Sequence, residues 1–319
     1  MRAVTSEQAV GARLEPPLAL LESRASAMHR AISVARQAAA SDVPVLLLGE
    51  IGTGKSALAA AIHAWSRRRH ASFVTVSCPA LGREPAPNGR SVRAAGSFTH
   101  AFRQLQAASG GTVFLDEIAD LSPELQFELL RLLGDPHAPR IEDARPLEFD
   151  GRIVAGSHRD LEAEVRAGRF RDDLFFRLSV VTIVLPPLRE RPEDLALVVD
   201  RLLEQVAARH GHGHLALTPE ARRALAGYRW PGNVRELANV LERAVVLASN
   251  DTITTAELPD NVLAPANTES ISRSDSLRDL ERQQVRRALA ESPTLEEAAA
   301  RLGINTSTLW RKRKRWGLE

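Results

Sequence analysis

Apolar residues recur along this chain in two rhythms, and their alternation predicts the architecture. Short apolar runs at 43–48, 73–77, 111–116, 152–157 and 180–185 read as strands. Between them, apolar residues return every three or four positions: Met28, Ile32 and Ala35 within 25–40, then residues 57–65, then Leu125, Leu129, Leu132 and Leu133 within 123–133. Strands alternating with helices predict a parallel α/β sheet. From 193 to 247 the pattern is helical throughout, interrupted at the His/Gly stretch 210–214. Residues 82–95, rich in Gly, Pro and Arg, break regular structure. The first residues show no strong periodicity.

The candidate chemistry starts where the first apolar run ends. Gly49-Glu50-Ile51-Gly52-Thr53-Gly54-Lys55-Ser56 is G-x-x-x-x-G-K-S between a strand and a helix. Glycines let the backbone turn its N–H groups inward as a nest for phosphate oxygens, and the following helix N-terminus adds partial positive charge. Lys55 can reach the outer phosphates, and the Ser56 hydroxyl can ligate Mg²⁺. A later apolar run ends in Asp116-Glu117. After a phosphate loop, that pair reads as the Mg²⁺ ligand Asp116 and the water-activating base Glu117 of an ATPase.

Charge changes the picture at the C-terminal end. The net charge is +2 in all, but residues 276–319 hold ten Lys/Arg against six Asp/Glu. In that segment Leu277, Leu280, Val285, Ala288 and Leu289 mark one apolar helix face, and 295–302 forms a second helix. Gly303-Ile304-Asn305 makes the turn, and 306–316 forms a third helix. This is helix-turn-helix spacing. Thr306, Ser307, Thr308 and Arg311 would face base edges of double-stranded DNA, with Lys312, Arg313, Lys314 and Arg315 neutralising phosphates. Leu309 faces the helical core, and Trp310 and Trp316 read as packing residues.

Composition narrows the class further. With 319 residues and 44% hydrophobic positions, the chain can hold two or three cored domains. Its single cysteine, Cys78, excludes an internal disulfide and fits a reducing cytoplasm. No apolar run reaches bilayer length and the N-terminus carries no signal-peptide pattern, so no membrane partner is expected. His210, His212 and His214 lack an accompanying cysteine or acidic ligand set and read as a solvated loop rather than a metal site.

From about Pro17 onward the chain resembles bacterial enhancer-binding proteins of the NtrC type, AAA+ ATPases that activate RNA polymerase carrying sigma-54. The matching blocks are Gly49–Ser56, Gly111–Glu117, residues 168–178 (GRFRDDLFFRL), residues 185–191 (LPPLRER) and residues 230–237 (WPGNVREL). The C-terminal helices resemble the Fis-type domain that ends this family. The resemblance implies an AAA+ P-loop fold with a parallel sheet, an all-α lid and a helix-turn-helix. The expected boundaries are a leader at 1–16, the α/β subdomain at 17–187, the lid at 188–260, a linker at 261–275 and the DNA-binding domain at 276–319. No receiver domain is expected ahead of them.

The resemblance also assigns roles. It implies a homo-oligomeric, hexameric ring with ATP sites between neighbours. Arg171 and Arg177 would be supplied in trans to the γ-phosphate, and Arg235 would sense the nucleotide from the lid. The family's sigma-contact loop, Gly-Ala-Phe-Thr-Gly-Ala, corresponds to Gly96-Ser97-Phe98-Thr99-His100-Ala101, which keeps Phe98 and Thr99 but replaces a glycine by His100. Ser77 stands where the family has an asparagine that restrains the catalytic glutamate. His158 stands at the first sensor, another asparagine. Two readings follow: an ATP-hydrolysing regulator acting on sigma-54 polymerase, or an ATP-assembled repressor or sigma-54-independent regulator with weak or no hydrolysis.

Overall fold

The computed structural model describes residues 23–81, 110–134, 150–248, 250–263, 285–286, 288–289, 292 and 294–316. Five strands, β1 (Val45–Leu48), β2 (Phe73–Ser77), β3 (Thr112–Asp116), β4 (Arg152–Ser157) and β5 (Val181–Val184), form one sheet. Their order is β2-β3-β4-β1-β5, and every pairing is parallel. The apolar runs are continuous because the central strands are buried on both faces. Leu46, Val113, Leu115, Ile153 and Ala155 face one layer, packed with Leu129, Leu130, Leu174 and Leu178. Their alternates Val45, Leu47, Phe114 and Val154 face the other, packed with Met28, Ala35, Leu58 and Ile62. Helices Pro123–Leu132 and Asp172–Leu178 therefore cover one side, and Ser26–Ala39 and Lys55–Trp65 the other.

One strand residue breaks the apolar rule. Arg152 in β4 is 1% exposed, and its guanidinium donates to the carbonyls of Ala38 and Ala39 at 2.8 and 3.3 Å. A cation there satisfies the end carbonyls of helix Ser26–Ala39 and complements its dipole.

The lid has its own core, in which Leu202, Val206, Leu225, Trp230, Leu237, Leu241 and Val245 are buried together. Its helices span Pro192–Arg209, Pro219–Gly227 and Asn233–Leu247. Helicity is thus less continuous than the periodicity over 193–247 suggests. Ala216–Leu217 pairs in parallel with Thr252–Ile253. Thr218 caps the next helix by accepting from the Ala221 N–H, with proline at its first position. Pro231-Gly232 forces the second break. Beyond the third helix, Val262 in the short helix Asp260–Leu263 is also buried in this core.

The C-terminal residues form a separate compact unit, 264–319. Helix Leu295–Arg301 is capped by the Thr294 side chain. Gly303 takes φ 64, the left-handed conformation that ends a helix most readily as glycine. Helix Thr306–Trp316 follows. Val285, Ala288, Ala298, Ala299 and Leu309 form the core. Leu277 and Leu280, expected on the first helix, lie outside the described residues, as does 82–95.

Candidate active site

The phosphate loop leaves β1 and re-enters the molecule as helix Lys55–Trp65. Gly52 and Gly54 hold φ of 81 and 107, conformations that a Cβ would strain. The loop is tied to its neighbours on the sheet: the Gly49 N–H donates to the Ser157 carbonyl at 3.2 Å, and the Leu185 N–H to Leu48 at 2.8 Å. Lys55 is 5% exposed. Its ammonium donates to the carbonyls of Gly49 at 2.8 Å and Glu50 at 3.3 Å, and stands 3.4 Å from Glu117 Oε1. The Thr53 hydroxyl donates to the Glu50 carbonyl at 2.9 Å.

The acidic pair sits beside this lysine at the end of β3. Burial and the neighbouring Glu117 charge push the Asp116 carboxyl above its usual range, against the pull of Lys55 and Arg235. Burial also pushes Glu117 up, but the His158 hydrogen bond and the Lys55 charge outweigh it, leaving that carboxyl below the usual range. Glu117 Oε2 accepts from the His158 N–H at 3.1 Å and stands 2.5 Å from His158 Nδ1. Ser77 lies in register beside Asp116 and is exposed. The partners of Glu117 are therefore His158 and Lys55, where the family pattern pointed to position 77 as the restraint.

Magnesium suits hard oxygen donors. The Ser56 hydroxyl lies exposed at the helix N-terminus, and Asp116 is half-buried next to the Glu117 charge, so this pair of oxygen donors fits such a cation. Among the described residues no cluster of three or more His, Cys, Asp or Glu could hold a metal. Oxygens from water or a bound triphosphate would complete the shell.

The lid closes directly on the phosphate loop. A Cβ on Gly52 would lie 2.2 Å from the Gly232 carbonyl and 3.0 Å from Arg235 Cβ. The Val234 N–H donates to the Gly52 carbonyl at 2.9 Å. Asn233, fully buried, donates to Glu50 Oε2 at 3.1 Å and to the Ile51 carbonyl at 3.0 Å, and accepts from the Leu188 N–H at 2.8 Å. Glu50 also takes a two-pronged contact from Arg189, at 2.6 and 2.7 Å. Arg191, 2% exposed, donates to the Thr53 carbonyl at 3.2 Å. Asp194 in the same segment accepts from Ser23 Oγ at 2.6 Å and from the N–H groups of Arg24 and Ala25 at 2.5 and 3.2 Å, tying the start of the first helix to the lid.

Backbone strain concentrates at this junction. Among the described residues, Glu117, Trp230 and Asn233 are the non-glycine residues with positive φ, at 56, 54 and 52. Asparagine tolerates that region, whereas tryptophan does so only when held. Trp230 is 1% exposed, donates its indole N–H to the Leu225 carbonyl at 3.0 Å, and meets the Tyr228 ring edge-on at 5.0 Å.

The structure brings together Gly49 to Ser56, Asp116, Glu117 and Arg235. It sets Arg171 and Arg177 in the opposite layer from Lys55, around helix Asp172–Leu178. Arg171 forks onto Asp173 at 2.7 and 3.0 Å and lies over the Phe127 ring, while Arg177 donates to the Leu133 carbonyl. Sequence reasoning missed Asn233, Arg189, Arg191 and Asp194. For Asn233, Arg189 and Arg191 the signal lay in the blocks 185–191 and 230–237, from which only Arg235 received a role; Asp194 lies outside both blocks. Phe98, Thr99 and His100 lie outside the described residues.

In the C-terminal unit, Asn305 Oδ1 accepts from the Ser307 N–H at 3.4 Å at the start of helix Thr306–Trp316. Leu309 is fully buried, whereas Ser307, Arg311 and Lys314 are exposed. Trp310, expected as a packing residue, is 52% exposed, with the Lys314 ammonium 5.3 Å from its ring centre. A helix has room for only one core stripe here, and Leu309 takes it. The side chains of Arg315 and Trp316 lie outside the described residues.

The sheet order, the phosphate loop on β1, the acids on β3 and the helical lid define an AAA+ P-loop NTPase fold followed by a helix-turn-helix. Known families agree with each part. The sigma-54 interaction domain matches residues 21–184, the AAA+ ATPase lid domain 189–275, and the bacterial regulatory protein, Fis family, 276–316. The alginate biosynthesis transcriptional regulatory protein AlgB of Pseudomonas putida is 40% identical over 315 residues, covering 98% of this chain and 70% of AlgB. The transcriptional regulatory protein ZraR of Salmonella typhimurium is 40% identical over 295 residues, covering 91% of this chain and 67% of ZraR. The crystal structure of NtrX from Brucella abortus in complex with ATP superposes with a TM-score of 0.63 at 28% identity, over 93% of this chain and 69% of that one. The chain belongs to the sigma-54-interacting AAA+ transcription regulators with a Fis-type helix-turn-helix. No helix among the described residues is long and apolar enough to cross a membrane.

Proposed function

We propose that this chain binds ATP at the phosphate loop, hydrolyses it in a ring of subunits, and couples that cycle to promoter control from a DNA site held by its C-terminal helices. The observation that carries the reading is Lys55, buried between the Gly49 carbonyl and Glu117 beside Asp116. The loop N–H groups and Lys55 would hold the phosphates, and Ser56 and Asp116 would hold Mg²⁺, which supplies charge neutralisation when bound. Glu117 accepts the proton of the attacking water as its oxygen bonds to the γ-phosphorus; the bond to the bridging oxygen breaks, and ADP leaves. Arg171 and Arg177, exposed in part around helix Asp172–Leu178, would act on a neighbour's nucleotide in a hexameric ring. The domain divisions at residues 16, 187, 260 and 275 belong to this reading, as does a cytoplasmic location.

Thr306, Ser307, Thr308 and Arg311 are the proposed base-reading residues, with Lys312, Arg313, Lys314 and Arg315 on phosphates. RNA polymerase with sigma-54 is the proposed target, through Phe98 and Thr99. ATPase activity measured against protein concentration, with and without sigma-54, tests the reading. Turnover per subunit should rise with concentration, because active sites are shared, and Lys55→Ala should abolish nucleotide binding. Basal turnover no higher than that of Glu117→Ala would instead favour a regulator that uses ATP for assembly alone.

A further inference from the structure

The two oxygens of Glu117 have different partners. Oε2 faces the backbone N–H of His158 at 3.1 Å and its Nδ1 at 2.5 Å, while Oε1 faces the Lys55 ammonium at 3.4 Å. The first set is built into the end of β4, where the Ser157 hydroxyl donates to the Arg159 carbonyl at 2.8 Å and accepts the Arg159 N–H at 2.9 Å. That local turn fixes the backbone of His158 between them. The second partner has other work: the three donors of Lys55 are already shared among the Gly49 and Glu50 carbonyls and Oε1, so serving triphosphate oxygens means giving up some of these contacts. Glu117 itself, at φ 56, does not continue the strand, so its side-chain direction needs an outside hold.

We infer that His158 is the positioning residue for the general base: its N–H and Nδ1–H pin Oε2, so that Oε1 becomes the proton-accepting oxygen when Lys55 turns to the phosphates. The inference rests on the ATPase reading above and assigns the hold on Glu117 to His158 rather than to Ser77. Asparagine carries its amide N–H near the place of the imidazole Nδ1, whereas alanine keeps only the backbone donor. A base displaced by about 1 Å loses roughly ten- to hundredfold in rate while leaving phosphate binding alone.

The test compares full-length wild type, His158→Ala, His158→Asn and Glu117→Ala. Steady-state kinetics and binding of a fluorescent ATP analogue are read alongside ¹⁵N-histidine NMR of the nucleotide-free protein. His158→Ala should lower kcat roughly ten- to hundredfold with KM and analogue affinity within about twofold, and His158→Asn should restore most of the loss. In the NMR arm, the His158 Nδ1 resonance should move on Glu117→Ala. Unchanged or faster turnover in His158→Ala, no rescue by asparagine, or an Nδ1 signal indifferent to Glu117→Ala would each overturn the assignment. A wild type that binds the analogue without turning over ATP would defeat the ATPase reading instead, and the NMR arm would still decide whether His158 holds Glu117.

Discussion

Asn233 of the lid places its amide nitrogen 3.1 Å from Glu50 Oε2 and 3.0 Å from the Ile51 carbonyl, so one buried side chain joins the helical lid to the phosphate loop. Its oxygen accepts from the Leu188 N–H, which adds the strand-to-lid connection to the same node. A shift of the loop on nucleotide binding must therefore be felt by the lid, and the reverse follows by linkage. Asn233→Ala leaves the buried Leu188 N–H without its partner, at a cost of about 1–3 kcal/mol. Chemical denaturation should show that loss, and analogue titration should show weaker binding than wild type.

Glu50 adds a pH dependence to this node. Its pKa is lowered from the usual 4.5, first by the Arg189 hydrogen bonds, with burial opposing. A lowered folded value means the contribution is fully present above the unfolded value and is lost as pH falls through the folded one. Thermal stability of the wild type should thus decline below about pH 4.5 more than that of Glu50→Gln. Parallel melting curves for the two proteins across that window would contradict the pairing.

Gly52→Ala probes the same junction through the backbone. The new Cβ would meet the Gly232 carbonyl at 2.2 Å, at a φ of 81. Neither the carbonyl nor the φ can yield cheaply, so the loss should exceed about 1 kcal/mol. Gly54→Ala meets no atom within 4 Å but holds φ 107, and it should cost less than Gly52→Ala when melting temperatures are compared.

Trp230 anchors the lid core from a strained backbone position. Trp230→Ala should cost about 3–5 kcal/mol, read by urea denaturation. Trp230→Phe keeps most of the apolar contact but drops the bond to the Leu225 carbonyl, and should cost about 1–2 kcal/mol.

Cys78 is buried against the sheet core, and burial, with the charges of Asp116, Asp120 and Glu117 adding, pushes its thiol pKa well up. The thiolate is the reactive form. The thiol should stay silent to an aromatic disulfide reagent in the native protein and titrate as one group on unfolding. Fast native-state labelling would mean that the β2 end opens.

Much of this molecule was legible before any coordinates, for local reasons. Strands β1, β3 and β4 stood out because central parallel strands are apolar on both faces, and Gly49 to Ser56 because phosphate binding needs glycine and lysine at set spacing. The caps and breaks at Thr218-Pro219 and Pro231-Gly232 escaped the periodicity because apolar residues continue on either side of them. The partners of the charged residues escaped too. Nothing along the chain says that Glu117 meets His158, 41 positions away, or that Glu50 meets Arg189 and Asn233. Those pairings arise when parallel strands set their C-terminal ends side by side and the lid folds over them. Local chemistry names the groups a site can contain, whereas long-range packing chooses which of them touch.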